Sequence, residues 1–185
     1  MKELLFCALI STITFGLSAQ SIGVNFQQES VSWPFTRFDQ WNPGAEIEYG
    51  FPAWEKGNGL RQVNLTLGYY FHRDVESAFY LKAEYNITLR IADDFHLDIV
   101  PALGYMHSFY PGEIYRLTSD GNYELKQQLG RPHLWLESGL GFSFFRTKQI
   151  SPFLQYRFAL ETPFANGIPV FPHSFYQAGV QYKID

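Results

Sequence analysis

Five side chains of this sequence could exchange protons or hold a metal ion near neutral pH: His72, His133, His173, Glu137 and Glu161. Imidazole ordinarily titrates close to physiological pH, and a carboxylate beside it can orient the ring, share its proton or complete a metal's ligand set. These residues are far apart in the chain and act together only if the backbone collects them. The sequence also offers His107-Ser108 and His173-Ser174 as adjacent base and nucleophile. Successive residues of a strand point to opposite faces, so neither pair reads as a catalytic dyad.

The elements that must position them are strands. Val63, Leu65, Leu67, Tyr69 and Phe71 alternate with Gln62, Asn64, Thr66, Gly68 and His72. Across the polar break Arg73-Asp74-Val75-Glu76-Ser77, Phe79, Leu81, Ala83, Tyr85, Ile87 and Leu89 alternate with Tyr80, Lys82, Glu84, Asn86, Thr88 and Arg90. Strict period-two alternation sets one face against hydrocarbon or a core and the other against polar partners. Soluble strands average about five or six residues, whereas a tilted membrane-spanning strand needs about nine to eleven. Both arms of this hairpin reach the membrane length.

The start of the chain agrees. Leu4 to Leu17 is apolar behind Lys2 and ends in Ser18-Ala19-Gln20, which predicts a signal peptide at residues 1–19, too short for a transmembrane helix. Cys7 has almost no n-region before it, so it is not read as a lipidation site, and the mature chain then has no cysteine. The remaining segment, residues 20–185, is one domain's worth. It is rich in aromatics, with 18 Phe, 12 Tyr and 4 Trp in the whole chain, and a net charge of −4 without a basic block gives no reason to expect nucleic acid.

Read in order, eight segments alternate. Besides the two above they begin at Ile22, Ala45, Phe95, His133, Leu154 and Tyr176. Connections rich in Pro, Gly, Asp and Asn separate them, the longest running from Pro111 to Arg131. An even count permits closure, and the prediction is an all-β chain, an eight-stranded antiparallel up-and-down transmembrane β-barrel. Gly23, Gly50, Gly68, Gly104, Gly139, Gly141 and Gly179 all share the face that carries the charges. Inward glycines make room in a narrow lumen, so the polar face is expected inside. Glu46, Glu48, Glu84, Asp98, Glu137 and Glu161 should then meet Lys82, Arg90 and Arg157 in a filled, non-porin lumen. The minimal turns at Ala92-Asp93-Asp94 and Thr147-Lys148-Gln149 belong on the periplasmic side and the longer loops outside.

This architecture resembles the eight-stranded outer-membrane proteins of the OmpA and OmpX type. Asn42-Pro43-Gly44, Leu67-Gly68-Tyr69-Tyr70-Phe71-His72-Arg73, Gly130-Arg131-Pro132, Gln155-Tyr156-Arg157 and the stretch from Thr162-Pro163-Phe164 to His173 look like a group of small exported barrel proteins from Bacteroidetes. The resemblance implies fold and a place in the cell outer membrane, and brings no activity with it. The chain ends Tyr182-Lys183-Ile184-Asp185 where barrels commonly end on an aromatic, so Tyr182 is expected to serve in its place. Outer-membrane lipid A deacylases set a histidine and a serine two apart on one face, a spacing absent here.

By parity His72, His133 and His173 point inward at the outer ends of their strands, Glu161 lies at a similar height, and Glu137 is expected near it. The outer loops carry Trp33, Phe35, Phe38, Trp41, Tyr110, Tyr115, Tyr123, Phe164 and Phe171, of which Trp33, Trp41, Tyr115, Tyr123 and Phe171 are the binding candidates. The expected function is membrane integrity or surface interaction through those loops, in a monomer without enzyme activity, cofactor or metal. Its partners would be outer-membrane lipid and lipopolysaccharide, with an extracellular protein or glycan beyond. A lipid-modifying hydrolase built on the rim His and Glu residues is the alternative.

Overall fold

Alternation along the chain produces strands and little else. The computed structural model describes residues 21–34, 40–126, 130–164 and 167–184. The expected signal peptide and the loop residues Phe35 and Phe38 lie outside the described residues. The strands are β1 (Ser21–Ser30), β2 (Pro43–Gly50), β3 (Trp54–Glu55), β4 (Gly59–Phe71), β5 (Ser77–Ala92), β6 (Phe95–Phe109), β7 (Ile114–Leu117), β8 (Tyr123–Lys126), β9 (Arg131–Phe144), β10 (Ile150–Thr162) and β11 (Phe171–Lys183).

The eight long strands pair antiparallel in the order β2-β1-β11-β10-β9-β6-β5-β4, and β2 pairs with β4 to close the ring. The seam between the ends of the chain runs from Ser21 opposite Lys183 to Ser30 opposite Ser174. Closure leaves no long edge unpaired, as a strand-built membrane span requires. Among the described residues no helix is long and apolar enough to cross a membrane.

Burial is inverted relative to a soluble core. Asn25, Glu46, Asn64, Lys82, Glu84, Asp98 and Arg157 are buried, whereas Phe26, Leu67, Leu103 and Leu154 are 73%, 55%, 54% and 57% exposed. That is a barrel with an apolar wall and a polar interior. Two of the inward glycines explain themselves by close approach. A Cβ on Gly68 would stand 2.2 Å from the Tyr80 ring, and one on Gly139 would stand 2.3 Å from Arg157 Cδ.

Three departures from the sequence expectation matter. The segment Pro111 to Arg131 is not all loop: β7 and β8 form a hairpin in which Tyr115 faces Leu125 and Leu117 faces Tyr123. Ser119-Asp120-Gly121-Asn122, which marks a loop in the sequence, is that hairpin's reversal, with Gly121 at φ 79° and Thr118 N–H donating to the Asn122 carbonyl at 2.9 Å. The last strand begins at Phe171 rather than Tyr176, with Pro172 opposite Leu160 near the strand start, where a missing N–H is tolerated. Trp54 and Glu55 add a short strand to β4 inside an expected break.

The short turns after β5 and β9 lie at the same end as Ser21 and Lys183. The connections after β1, β6 and β10 are longer and lie at the opposite, long-loop end. The turn after β4 is also there although it is short.

Candidate functional site

The lumen fills in layers, each set by the inward residues at one register height. Midway along, Lys82 Nζ lies 2.7 Å from Glu46, 3.2 Å from Glu84 and 2.8 Å from Glu137. Arg157 crosses the lumen to Glu137 at 2.9 Å and Glu84 at 3.3 Å, and its Nε donates to Gln155 at 2.8 Å. Asn25 donates to Glu46 and Glu48 at 2.9 and 3.1 Å. Below Arg157 a void lined by Glu48, Asp98 and Arg146 among others is about 10 Å³, no more than one water needs, and at the short-turn mouth a pocket of about 520 Å³ opens among Ser21, Gln62, Arg146 and Gln181.

An aromatic layer sits between this network and the long-loop end. Tyr80 stacks on Trp135 at 5.5 Å, and Tyr70 and Phe175 pack on the same indole at 6.3 and 6.0 Å. Their polar tips are tied to the charges: Trp135 Nε1 donates to Glu137 at 2.8 Å and Tyr80 Oη to Glu46 at 2.5 Å. Met106 fills the β6 side beside Tyr70.

Above that layer the predicted histidines converge. His173 lies between two carboxylates, with Nδ1 3.0 Å from Glu29 and Nε2 3.2 Å from Glu161. His133 Nδ1 donates to the Pro163 carbonyl at 2.7 Å, and Glu161 Oε1 lies 2.8 Å from the same nitrogen. Its other nitrogen, Nε2, is 2.9 Å from Ser108 Oγ. Glu76, in the turn before β5, accepts from Tyr70 at 2.7 Å and hydrogen-bonds Ser108. Burial pushes the Glu76 carboxyl above its ordinary range, and the Glu161 charge adds to the effect. His72 is more loosely held, 3.8 Å from Glu29. All seven groups are buried.

Four of the five chemistry-bearing candidates therefore share one place: His72, His133, His173 and Glu161. Glu137 does not join them. It faces Ala159 across the β9–β10 ladder, while Glu161 faces Trp135, so the aromatic layer separates the two carboxylates. Arg90 is the other correction: it is exposed and pairs with Asp93 beyond the strand end, outside the lumen network. Glu29, Glu76 and Ser108 join the cluster unannounced. Extending the alternation Asn25, Gln27 by one step reaches Glu29, and Ser108 follows from the same parity on β6. Glu76 stands in a turn, where no periodicity marks it.

The aromatic binding candidates are dispersed. Trp33 stacks on Phe158 of the outer wall at 6.1 Å, and Trp41 is 77% exposed beside the lipid-facing groove over Ala178. Phe171 stacks on Phe164 at 4.0 Å and turns an edge toward His173, so it caps the cluster. Tyr115 and Tyr123 stand on the β7–β8 hairpin.

No protein-family model matches the sequence, and no curated protein matches it. Solved structures do match. Neisserial surface protein A (NspA) is similar with a TM-score of 0.62 at 11% identity, over 89% of this chain and 96% of that one. Ail, the attachment invasion locus protein of Yersinia pestis, follows at 0.53 and 16%, over 89% and 97%. The outer membrane enzyme PagL matches at 0.51 and 11%, over 89% and 99%. This chain folds as a small eight-stranded outer-membrane β-barrel. At such identities the likeness is one of fold alone. The matching structures include a surface protein, an attachment protein and an enzyme, so activity must be argued from the sites on the scaffold.

Proposed function

We propose that this chain, freed of residues 1–19, is a non-porin barrel of the cell outer membrane that acts by recognition at its long-loop, extracellular end. Its resemblance to small exported barrels of Bacteroidetes belongs to the same reading. One observation supports it most. While the middle of the lumen is packed shut, the β7–β8 hairpin displays Tyr115, Leu117, Tyr123 and Leu125, 53%, 63%, 74% and 57% exposed, in two directly opposed pairs and so on one face. An apolar face on a polar loop is a recognition surface before it is a structural one. The partner expected is an extracellular protein or glycan that meets aromatic rings, with lipid and lipopolysaccharide around the wall. Trp33 fits the upper lipid girdle better than a binding loop.

The test is binding of the folded barrel in lipid vesicles to an array of extracellular proteins and glycans. Wild type should bind a defined subset and Tyr115→Ser/Tyr123→Ser should lose it. Binding that survives the double change, or no binding to any member, would count against recognition by the hairpin.

A second reading, a lipid-modifying hydrolase, is favoured by the contact of Ser108 Oγ with His133 Nε2 and the Glu161 carboxylate beyond it. Against it, the imidazole N–H is given to Pro163 rather than Glu161, and Ser108 is buried. The readings separate in cells. Deletion and His133→Gln should leave lipid A and phospholipid acyl profiles unchanged, whereas a shared acyl-chain difference would favour the hydrolase.

A further inference from the structure

The cluster at the long-loop end sets three buried carboxyl groups against histidines and hydroxyls. Glu29, Glu76 and Glu161 are each buried, and among the described residues no lysine or arginine forms an ion pair with any of them. His173 satisfies Glu29 and Glu161 together only by donating from both ring nitrogens, which supplies one positive charge for two carboxylates. Among the described residues Glu76 is bonded to the neutral hydroxyls of Tyr70 and Ser108. A buried carboxylate without a countercharge is strongly unfavourable. A bound divalent cation would supply the countercharge that these carboxyl groups find in no lysine or arginine among the described residues.

Geometry provides a place for it. One ligand atom each from Glu76, His133 and Glu161 lie within 4.8 Å of one another. Zinc bonds to N and O of about 2.0–2.2 Å put the ligands of a tetrahedral site about 3.4 Å apart, so side-chain motion of about an ångström would close the triangle. A second sign is Glu161 Oε1, which is fully enclosed and lies 2.8 Å from a His133 nitrogen whose N–H is directed at the Pro163 carbonyl. Three ligands come from three separate elements, the turn before β5, the start of β9 and the end of β10. A bound ion would therefore tie the long-loop ends of the barrel together.

We propose that Glu76, His133 and Glu161 form a binding site for one divalent transition cation of the zinc class. The donor set, one imidazole and two carboxylates, suits zinc better than calcium, which takes six to eight oxygens, or magnesium, which prefers oxygen ligands and retains its waters. The proposal is independent of partner recognition by the loops. It competes with the hydrolase reading, because a cation would take up the Glu76 and Glu161 carboxylates that flank Ser108 and His133.

The test uses metal-free barrel folded in lipid vesicles, dialysed against Zn²⁺ and analysed for metal per folded chain, with folding judged from heat-modifiable gel mobility. Wild type should hold about one zinc ion, and Glu76→Gln, His133→Gln and Glu161→Gln should each weaken binding by at least about tenfold. His107→Gln, on the outer wall, should bind as wild type does. Co²⁺ on the wild-type protein should give the visible absorption of a four-coordinate N/O site, which decides the matter even if a variant fails to fold. Folded wild-type protein that takes up no zinc and gives no such spectrum overturns the site. So does zinc bound equally by the Glu76, His133 and Glu161 variants.

Discussion

A lysine whose side chain has no exposed surface persists inside a barrel only because Glu46, Glu84 and Glu137 surround its ammonium at 2.7, 3.2 and 2.8 Å. Removing it leaves Glu84 and Glu137 on a single guanidinium, Arg157, and Glu46 with the neutral donors Asn25 and Tyr80. Breaking a buried ion pair from one side costs about 3–5 kcal/mol, whereas an exposed pair such as Arg90 with Asp93 contributes about 0–1 kcal/mol. Urea unfolding in vesicles should therefore show a large loss for Lys82→Met and a small one for Arg90→Met. Equal losses would mean that the network does not hold the barrel. Parity placed Lys82, Arg157 and the three rim histidines inside, because a strand offers only two faces. It also placed Glu137 inside, against Lys82 and Arg157, but Arg90 falls outside the lumen and Glu137 lies away from Glu161, for different reasons. Parity says nothing about where a strand passes out of the barrel, and proximity along a hairpin does not report the register that sets Glu137 one layer below Glu161.

The strands were legible because a wall between lipid and a polar lumen imposes period two over long runs. β4 shows the consequence: Leu67 is 55% exposed on the outside, while its neighbour Thr66 is fully buried beside Glu48 of β2. Arginine at the midplane of the lipid face costs roughly 2–4 kcal/mol, whereas at position 66 it would enter a lumen that already holds Glu48 and Glu84. Folding yields in vesicles, read from heat-modifiable mobility, should fall much further for Leu67→Arg than for Thr66→Arg. Similar yields would reverse the in/out assignment. The β7–β8 hairpin was hidden for a physical reason. Each arm has only four residues, and the Asp-Gly-Asn turn chemistry that closes it is the same chemistry that marks an open loop.

At the scale of the whole molecule, eight tilted strands enclose little more than their own side chains. Here the Lys82 and Arg157 network, the Trp135 layer and the buried His and Glu cluster occupy successive heights of that space. The count of strands and the polar interior were legible in the alternation and in the glycines. The convergence of Glu29, Glu76 and Ser108 on the histidines was not, because it depends on ring closure and on one turn. Recognition at the outer end presupposes that nothing passes through the middle, and planar-bilayer recording of the purified barrel at neutral pH tests that directly. The packed lumen predicts a silent membrane with no large, steady conductance. Porin-like steps that recur in every preparation would contradict it.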